Sequence, residues 1–337
     1  MSLFYMDINL ISDLRALYRA AKRRKGAAFR PGTQANQQSQ MKLYISFCLH
    51  YNLEILQPSS QNVCAYIEFL TRSFKSPDSI RNYVSGIRHL HRLININSDC
   101  LESFEVNIML RALDLTMHHF RKPHTVLTVD IIQKLITKCD RQGPQGLILK
   151  TAILFSFYGF LRKSNLAPES VSKFDPLKNT CRGDILFQHP GLVIILKWSK
   201  TLQDNKSVYL IPLPKIEGHS MCPVQAFINM TQAFPTVSPN EPLLHLGGQT
   251  LRMVTTSWLN KQLAELCKDL GYVNPKFTWH DFRRAGAETC FRAGVEITQI
   301  QHHGTWKSDS FWDYISRSAR CTTSDIPGAM AQVTLGQ

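Results

Sequence analysis

Residues 277–315 read FTWHDFRRAGAETCFRAGVEITQIQHHGTWKSDSFWDYI. His280 and Arg283 stand three apart, so a helix puts them on one face. A guanidinium fork holds two oxygens of a phosphate, and an imidazole beside it shares the grip. A Gly304-Thr305-Trp306 turn follows, and then Tyr314; a tyrosine hydroxyl near such a phosphate could attack it and carry it covalently. Taken singly, each feature is weak. A His-x-x-Arg pair is common on solvated helices, and a lone tyrosine is more often a core or interface residue. The meaning lies in order and spacing, and so in what precedes this stretch.

Upstream, residues 147–166 (LILKTAILFSFYGFLRKSNL) form a nearly continuous apolar segment, predicted as a buried helix ending at Tyr158-Gly159-Phe160. Arg162 arrives directly after that turn, which is a poor place for an incidental surface charge. The period then changes. Short apolar runs at 185–187, 192–196 and 208–211 predict three antiparallel strands, with Trp198-Ser199-Lys200-Thr201 in the turn between the last two. Helices are expected over Pro223–Phe234 and Thr255–Leu270, the latter closed by Gly271.

The N-terminal third reads as helices. Segments 33–49, from Ser60 through Leu70, from Pro77 through Arg92, and 101–119 each carry an apolar face. Ser76-Pro77 supplies a cap and a first-turn proline. Arg81, Arg88 and Arg92 recur at helical spacing opposite Ile80, Val84 and Ile87, as a stripe for phosphate contact or an ordinary solvated face. Residues 22–25 (KRRK) read as a nuclear-import signal, a backbone-contacting arm or a solvated helix end. Arg121-Lys122-Pro123-His124 is the expected linker, and Thr128 caps a fresh helix after it.

The chain has 337 residues, 44% hydrophobic and 19% charged, which is globular and long enough for two cores. No run is long enough to cross a membrane, and Asp7 and Asp13 break any secretory pattern. Nine scattered cysteines without a Cys-x-x-Cys pair indicate free thiols in a reducing compartment, with no disulfide framework and no zinc site. The formal charge is +14. Residues 1–123 carry 16 Lys and Arg against 9 Asp and Glu, and the rest 23 against 16, so both parts hold the same excess. A polyanion touching both parts fits this best, and nucleic acid is the usual one.

These residues in this order resemble the tyrosine recombinases, the phage-integrase family. The ending GTWKSDSFWDYI looks most like the eukaryotic mobile-element branch, the DIRS-like and Crypton recombinases. The resemblance implies a mainly α fold with a small antiparallel β-sheet, arranged as a two-domain DNA clamp. It divides the chain into a basic arm (1–30), a helical core-binding domain (31–122), a catalytic domain (123–320) and a tail (321–337). It implies the catalytic set Arg162, Lys200, His280, Arg283, Trp306 and Tyr314, with Lys197 and Lys206 as rivals to Lys200. Two departures stand out. The family usually has an acidic residue where Asn165 stands, which predicts a less firmly oriented Arg162. The His/Trp position nine before the tyrosine is Thr305; either Trp306 serves through its indole N–H, or the position is degenerate. DNA contact is expected at Arg81, Arg88 and Arg92.

The implied activity is strand cutting and rejoining through a 3′-phosphotyrosyl link. The implied partners are double-stranded DNA and a synaptic tetramer, with no cofactor or metal and a nuclear location. Rivals are a domesticated, catalytically silent DNA-binding protein, a type IB topoisomerase and a helical scaffold that binds no nucleic acid.

Overall fold

The computed structural model describes residues 14–29, 31–118, 126–199, 208–236, 238–246, 252–273, 277–306 and 309–315. The chain divides into two compact units, Met1–Lys122 and Pro123–Gln337. It is mainly helical with a small antiparallel sheet. No helix among the described residues is long and apolar enough to cross a membrane.

The first unit holds α1 (Leu14–Ala27), α2 (Pro31–His50), α3 (Ser60–Thr71), α4 (Pro77–Leu93) and α5 (Phe104–Thr116). The Ser59 hydroxyl caps α3 by accepting the Asn62 amide at 3.1 Å, and Pro77 opens α4. The helix expected over 101–119 is interrupted. The chain makes a 3-10 turn over Asp99–Glu102 and restarts at Phe104, because the Ser103 hydroxyl accepts the Val106 amide and sets a new N-terminus. Tyr44, Tyr66, Ile67, Leu70, Ile80 and Ile87 are fully buried and make one core.

The second unit begins with α6 (Val129–Cys139), capped by Thr128, and continues into α7 (Pro144–Tyr158) and the single turn α8 (Lys163–Leu166). Helix α7 is buried on nearly every side and packs against α6. Strands β1 (Ile185–Gln188), β2 (Gly191–Leu196) and β3 (Tyr209–Leu213) form an antiparallel sheet in that order, with Ile194 paired to both Ile185 and Ile211. Next come α9 (Pro223–Ala233), a two-residue pairing of β4 (His245–Leu246) with β5 (Arg252–Met253), and α10 (Thr256–Asp269). Strands β4 and β5 are too short to leave a period in the sequence. The unit closes with α11 (Trp279–Arg292), α12 (Ile297–His303) and a 3-10 turn over Asp309–Tyr314.

Helix α11 lies directly on α7, and Gly286 permits the approach. A Cβ built there would sit 2.2 Å from the Phe157 carbonyl oxygen and 2.6 Å from the Phe160 ring. Gly286→Ala is therefore expected to destabilise the second unit by about 1–3 kcal/mol and to push the 158–162 turn away from α11. Urea unfolding reads the first effect; a midpoint equal to that of the wild type would refute the close packing.

Candidate active site

Three stretches meet around Tyr314. The first is the end of α7. The helix stops at Tyr158, and Phe160 takes a left-handed backbone, φ +48°. The left-handed residue is thus the phenylalanine and not Gly159, whose φ is −91°. Such a conformation costs a bulky residue about 1–3 kcal/mol, so the surroundings must hold it. It turns the chain to present Arg162, which is partly buried. Burial lowers the Arg162 pKa, and the nearby Tyr314 opposes that shift.

The second stretch is the start of α11. Asp281 is buried, and its carboxylate accepts the Thr278 amide at 2.7 Å and the Thr278 hydroxyl at 2.8 Å. Its Thr-x-x-Asp spacing is a capping signal that the sequence displays openly. The cap fixes the register that puts His280 and Arg283 on the site face. Arg283 is 2% exposed, large and charged, and so needs partners for burial. One terminal nitrogen donates to the Phe160 carbonyl and the other to the Gly304 carbonyl at 2.5 Å. Burial, then the charge of Arg162, pushes the Arg283 guanidinium down to about 9, opposed by Tyr314. It remains cationic at neutral pH.

The third stretch is the turn after α12. Thr305 is left-handed, φ +57°, and buried. Gly304 leaves room for the Trp306 indole to fold back; a Cβ there would lie 1.7 Å from the ring. The indole stacks on Arg283, 4.0 Å from guanidinium carbon to ring centre, and packs edge-on against Tyr314 at 4.8 Å. The indole Nε1 is buried without a hydrogen-bond partner. Trp306 therefore lies against Tyr314 with a donor unspent. Phe311 and Ile315 bury themselves in a small core with Phe160, Ala287 and Ile300, which leaves Tyr314 half-buried between them.

The Tyr314 ring centre lies 4.9 Å from the His280 ring and 5.5 Å from the Arg283 guanidinium. The Arg284 guanidinium stands 5.9 Å from the same ring centre. Arg284 was not singled out in the sequence, because its neighbour Arg283 absorbed the motif. His280 opens to solvent, yet the protein crowded behind it desolvates the ring. With Arg283, Arg284 and Arg162 adding repulsion and Asp281 opposing them, its pKa is pushed down to about 4. His303 does not join this face; its ring pairs with the Tyr158 carbonyl at 2.8 Å.

No protein-family model matches this sequence, and no curated protein matches it. Solved structures do. The Tn1549 transposon integrase in complex with transposon right end DNA aligns over 94% of this chain and 96% of its own, with TM-score 0.61 and 14% identity. A lambda integrase dimer bound to a COC' core site aligns over 90% and 77%, with TM-score 0.58 and 14% identity. The fold is that of the tyrosine recombinases.

Within the recombinase fold, the remaining sequence-derived residues lie as follows. Lys200 and its rival Lys206 fall outside the described residues. Lys197 is already committed: its ammonium pairs with Asp184 at 2.6 Å and donates to the Pro176 carbonyl at 2.6 Å. In the first unit, Arg81 pairs with Asp114 at 2.5 Å and donates to the Leu110 carbonyl at 2.9 Å, tying α4 to α5. Arg88 pairs with Glu102 at 2.8 Å. Arg92 is exposed, and with Arg88 it lines a polar cleft opposite Asn36, Gln37 and Gln40 of α2.

The histidine gives a direct check. An unfolded chain protonates an imidazole near pH 6.5, whereas His280 in the fold does so only near 4. Between those values acid favours the unfolded state, so stability falls as pH drops through that window and is flat above it with respect to this group. Burial also lowers the pKa of His89, His91, His245 and His303, so NMR titration should find, among the imidazoles still neutral at pH 5.5, one whose signal vanishes in His280→Gln. A His280 that titrates near 6.5 would contradict the crowded cationic setting.

Proposed function

We propose that this chain is a site-specific DNA recombinase or integrase that cuts and rejoins strands through a covalent bond between Tyr314 and a 3′-phosphate. The observation that supports it is the packing of His280, Arg283 and Trp306 around the Tyr314 ring, with Arg162 in electrostatic reach. The Tyr314 oxygen would attack phosphorus as the bond to the 5′-oxygen breaks. A phosphotyrosyl ester forms and a 5′-hydroxyl departs, so the bond energy is kept for rejoining. Arg162 and Arg283 would stabilise the charge gathering on the non-bridging oxygens. Arg283 is held by two backbone carbonyls, so little rearrangement is needed at that moment. His280, neutral at physiological pH, is free to receive the phenol proton, and an arriving phosphate raises its basicity. Trp306 would spend its Nε1 donor on the phosphate. Lys200 is proposed to protonate the leaving oxygen.

Both units carry a positive excess, which fits double-stranded DNA as the partner. By analogy with the transposon integrase it resembles, the enzyme is proposed to come from a mobile element. It is further proposed to work as a tetramer on DNA, and residues 22–25 are proposed to direct it to the nucleus.

Incubation with a nicked suicide duplex should trap a protein–DNA adduct that survives detergent and maps to Tyr314. Tyr314→Phe should bind DNA as well as the wild type and form no adduct. If the wild type binds a selected site tightly yet never forms the adduct, the silent DNA-binding reading takes its place. Lys200→Ala should cleave ordinary DNA poorly and recover on a 5′-bridging phosphorothiolate, whose leaving group needs no proton. Lys197→Ala should show no such rescue, because its ammonium belongs to Asp184.

The arginines separate by their partners. Arg92→Ala should lower duplex affinity and reduce the slope of log K against log salt by about 0.9, one phosphate's worth. Arg81→Ala should leave that slope unchanged and instead lower the melting temperature of the first unit. Equal slopes for wild type and Arg92→Ala would remove that residue from the DNA interface.

A further inference from the structure

Asn165 is the third residue of α8 and is 5% exposed. Its backbone amide donates to the Arg162 carbonyl at 2.8 Å, and its side-chain Oδ1 accepts the Arg162 amide at 3.0 Å. The other end of the side chain, Nδ2, donates to the Trp198 carbonyl at 3.0 Å. Trp198 follows β2 by two residues and precedes Lys200 by two. The two ends of one amide therefore hold two segments through bonds of opposite polarity. The amide has one self-consistent orientation, since a flip would set donor against donor and acceptor against acceptor.

A carboxylate of the same shape accepts from Arg162 equally well but has nothing to give the Trp198 carbonyl. Two acceptors would then face each other in a buried place, which is unfavourable. The expectation that losing an acidic residue loosens Arg162 is reversed here: the acceptor function survives intact, and a second tether is added.

We propose that Asn165 is a positioning residue that fixes the Arg162 turn to the chain leaving β2, so that one amide sets both the Arg162 backbone and the Trp198 backbone, two residues before Lys200 in sequence. The tether is a property of the fold; its catalytic meaning rests on the strand-cutting function proposed above. Asn165 touches no substrate in this scheme and acts through what it holds.

Two variants of the full chain separate the two bonds. Asn165→Asp keeps the acceptor and loses the donor; Asn165→Ala loses both. In hydrogen exchange, Asn165→Asp should leave the Arg162 amide as protected as in the wild type. Peptides over 194–199 should exchange at least about fivefold faster, the loss of roughly one buried hydrogen bond. Asn165→Ala should loosen both places, and it also serves if the aspartate variant does not fold. In single-turnover assays Asn165→Asp should bind duplex DNA normally and cleave it at least about fivefold more slowly. A 5′-bridging phosphorothiolate should return most of that rate, because Lys200, the proposed proton donor to the leaving group, follows Trp198 by two residues in sequence. Unchanged exchange over 194–199 in Asn165→Asp would overturn the tether. An equal cleavage defect on both substrates would overturn its link to the lysine. A wild type that forms no phosphotyrosyl adduct would remove the catalytic reading alone, and the exchange measurement would still decide the tether.

Discussion

One buried guanidinium holds the site together. Arg283 donates to the carbonyls of Phe160 and Gly304, the first a left-handed residue and the second next to one. Each strained turn presents a side chain of the candidate site: Arg162 follows Phe160 by two, and Trp306 follows Thr305 by one. The strain would relax if the carbonyls were released, and the arginine would be a buried charge without partners if the turns moved. Each therefore stabilises the other. The Trp306 indole covers the free face of the guanidinium and adds a third support. Lysine could not replace this residue, since a single ammonium cannot present two fixed donors to carbonyls on opposite sides.

Much of the architecture was legible in the sequence, and for identifiable reasons. Caps at Ser59, Thr128 and Thr255 announce their helices because a hydroxyl before an apolar period has few other uses. The three strands show themselves by a change of period. The interruption before Phe104 was missed because a serine inside an apolar stretch reads equally as a solvated helical position. The pairing of β4 with β5 was beyond reach, since two residues carry no alternation.

The site was legible in its parts but not in its joints. Arg162, His280, Arg283 and Tyr314 could be read as a group from their order and local phrases, and the structure brings them together. What holds them could not be read. The Arg283 carbonyl partners are backbone atoms with no residue identity. The opposed roles of the two ends of Asn165 depend on Trp198 lying across from it. Likewise, the apparent stripe of Arg81, Arg88 and Arg92 divides in the structure, because Asp114 and Glu102 come from other segments and claim two of its members.

The bond from Arg283 to Phe160 joins residues 123 apart in sequence. Such long-range closures form late, after the intervening chain has made its own local structure. During synthesis the Arg162 turn emerges well before the helix that must hold it and before the tyrosine it would serve. A growing chain attached to the ribosome thus carries the Arg162 turn without the guanidinium that anchors it. The arrangement around Tyr314 comes together as a late event, when α11 has joined α7.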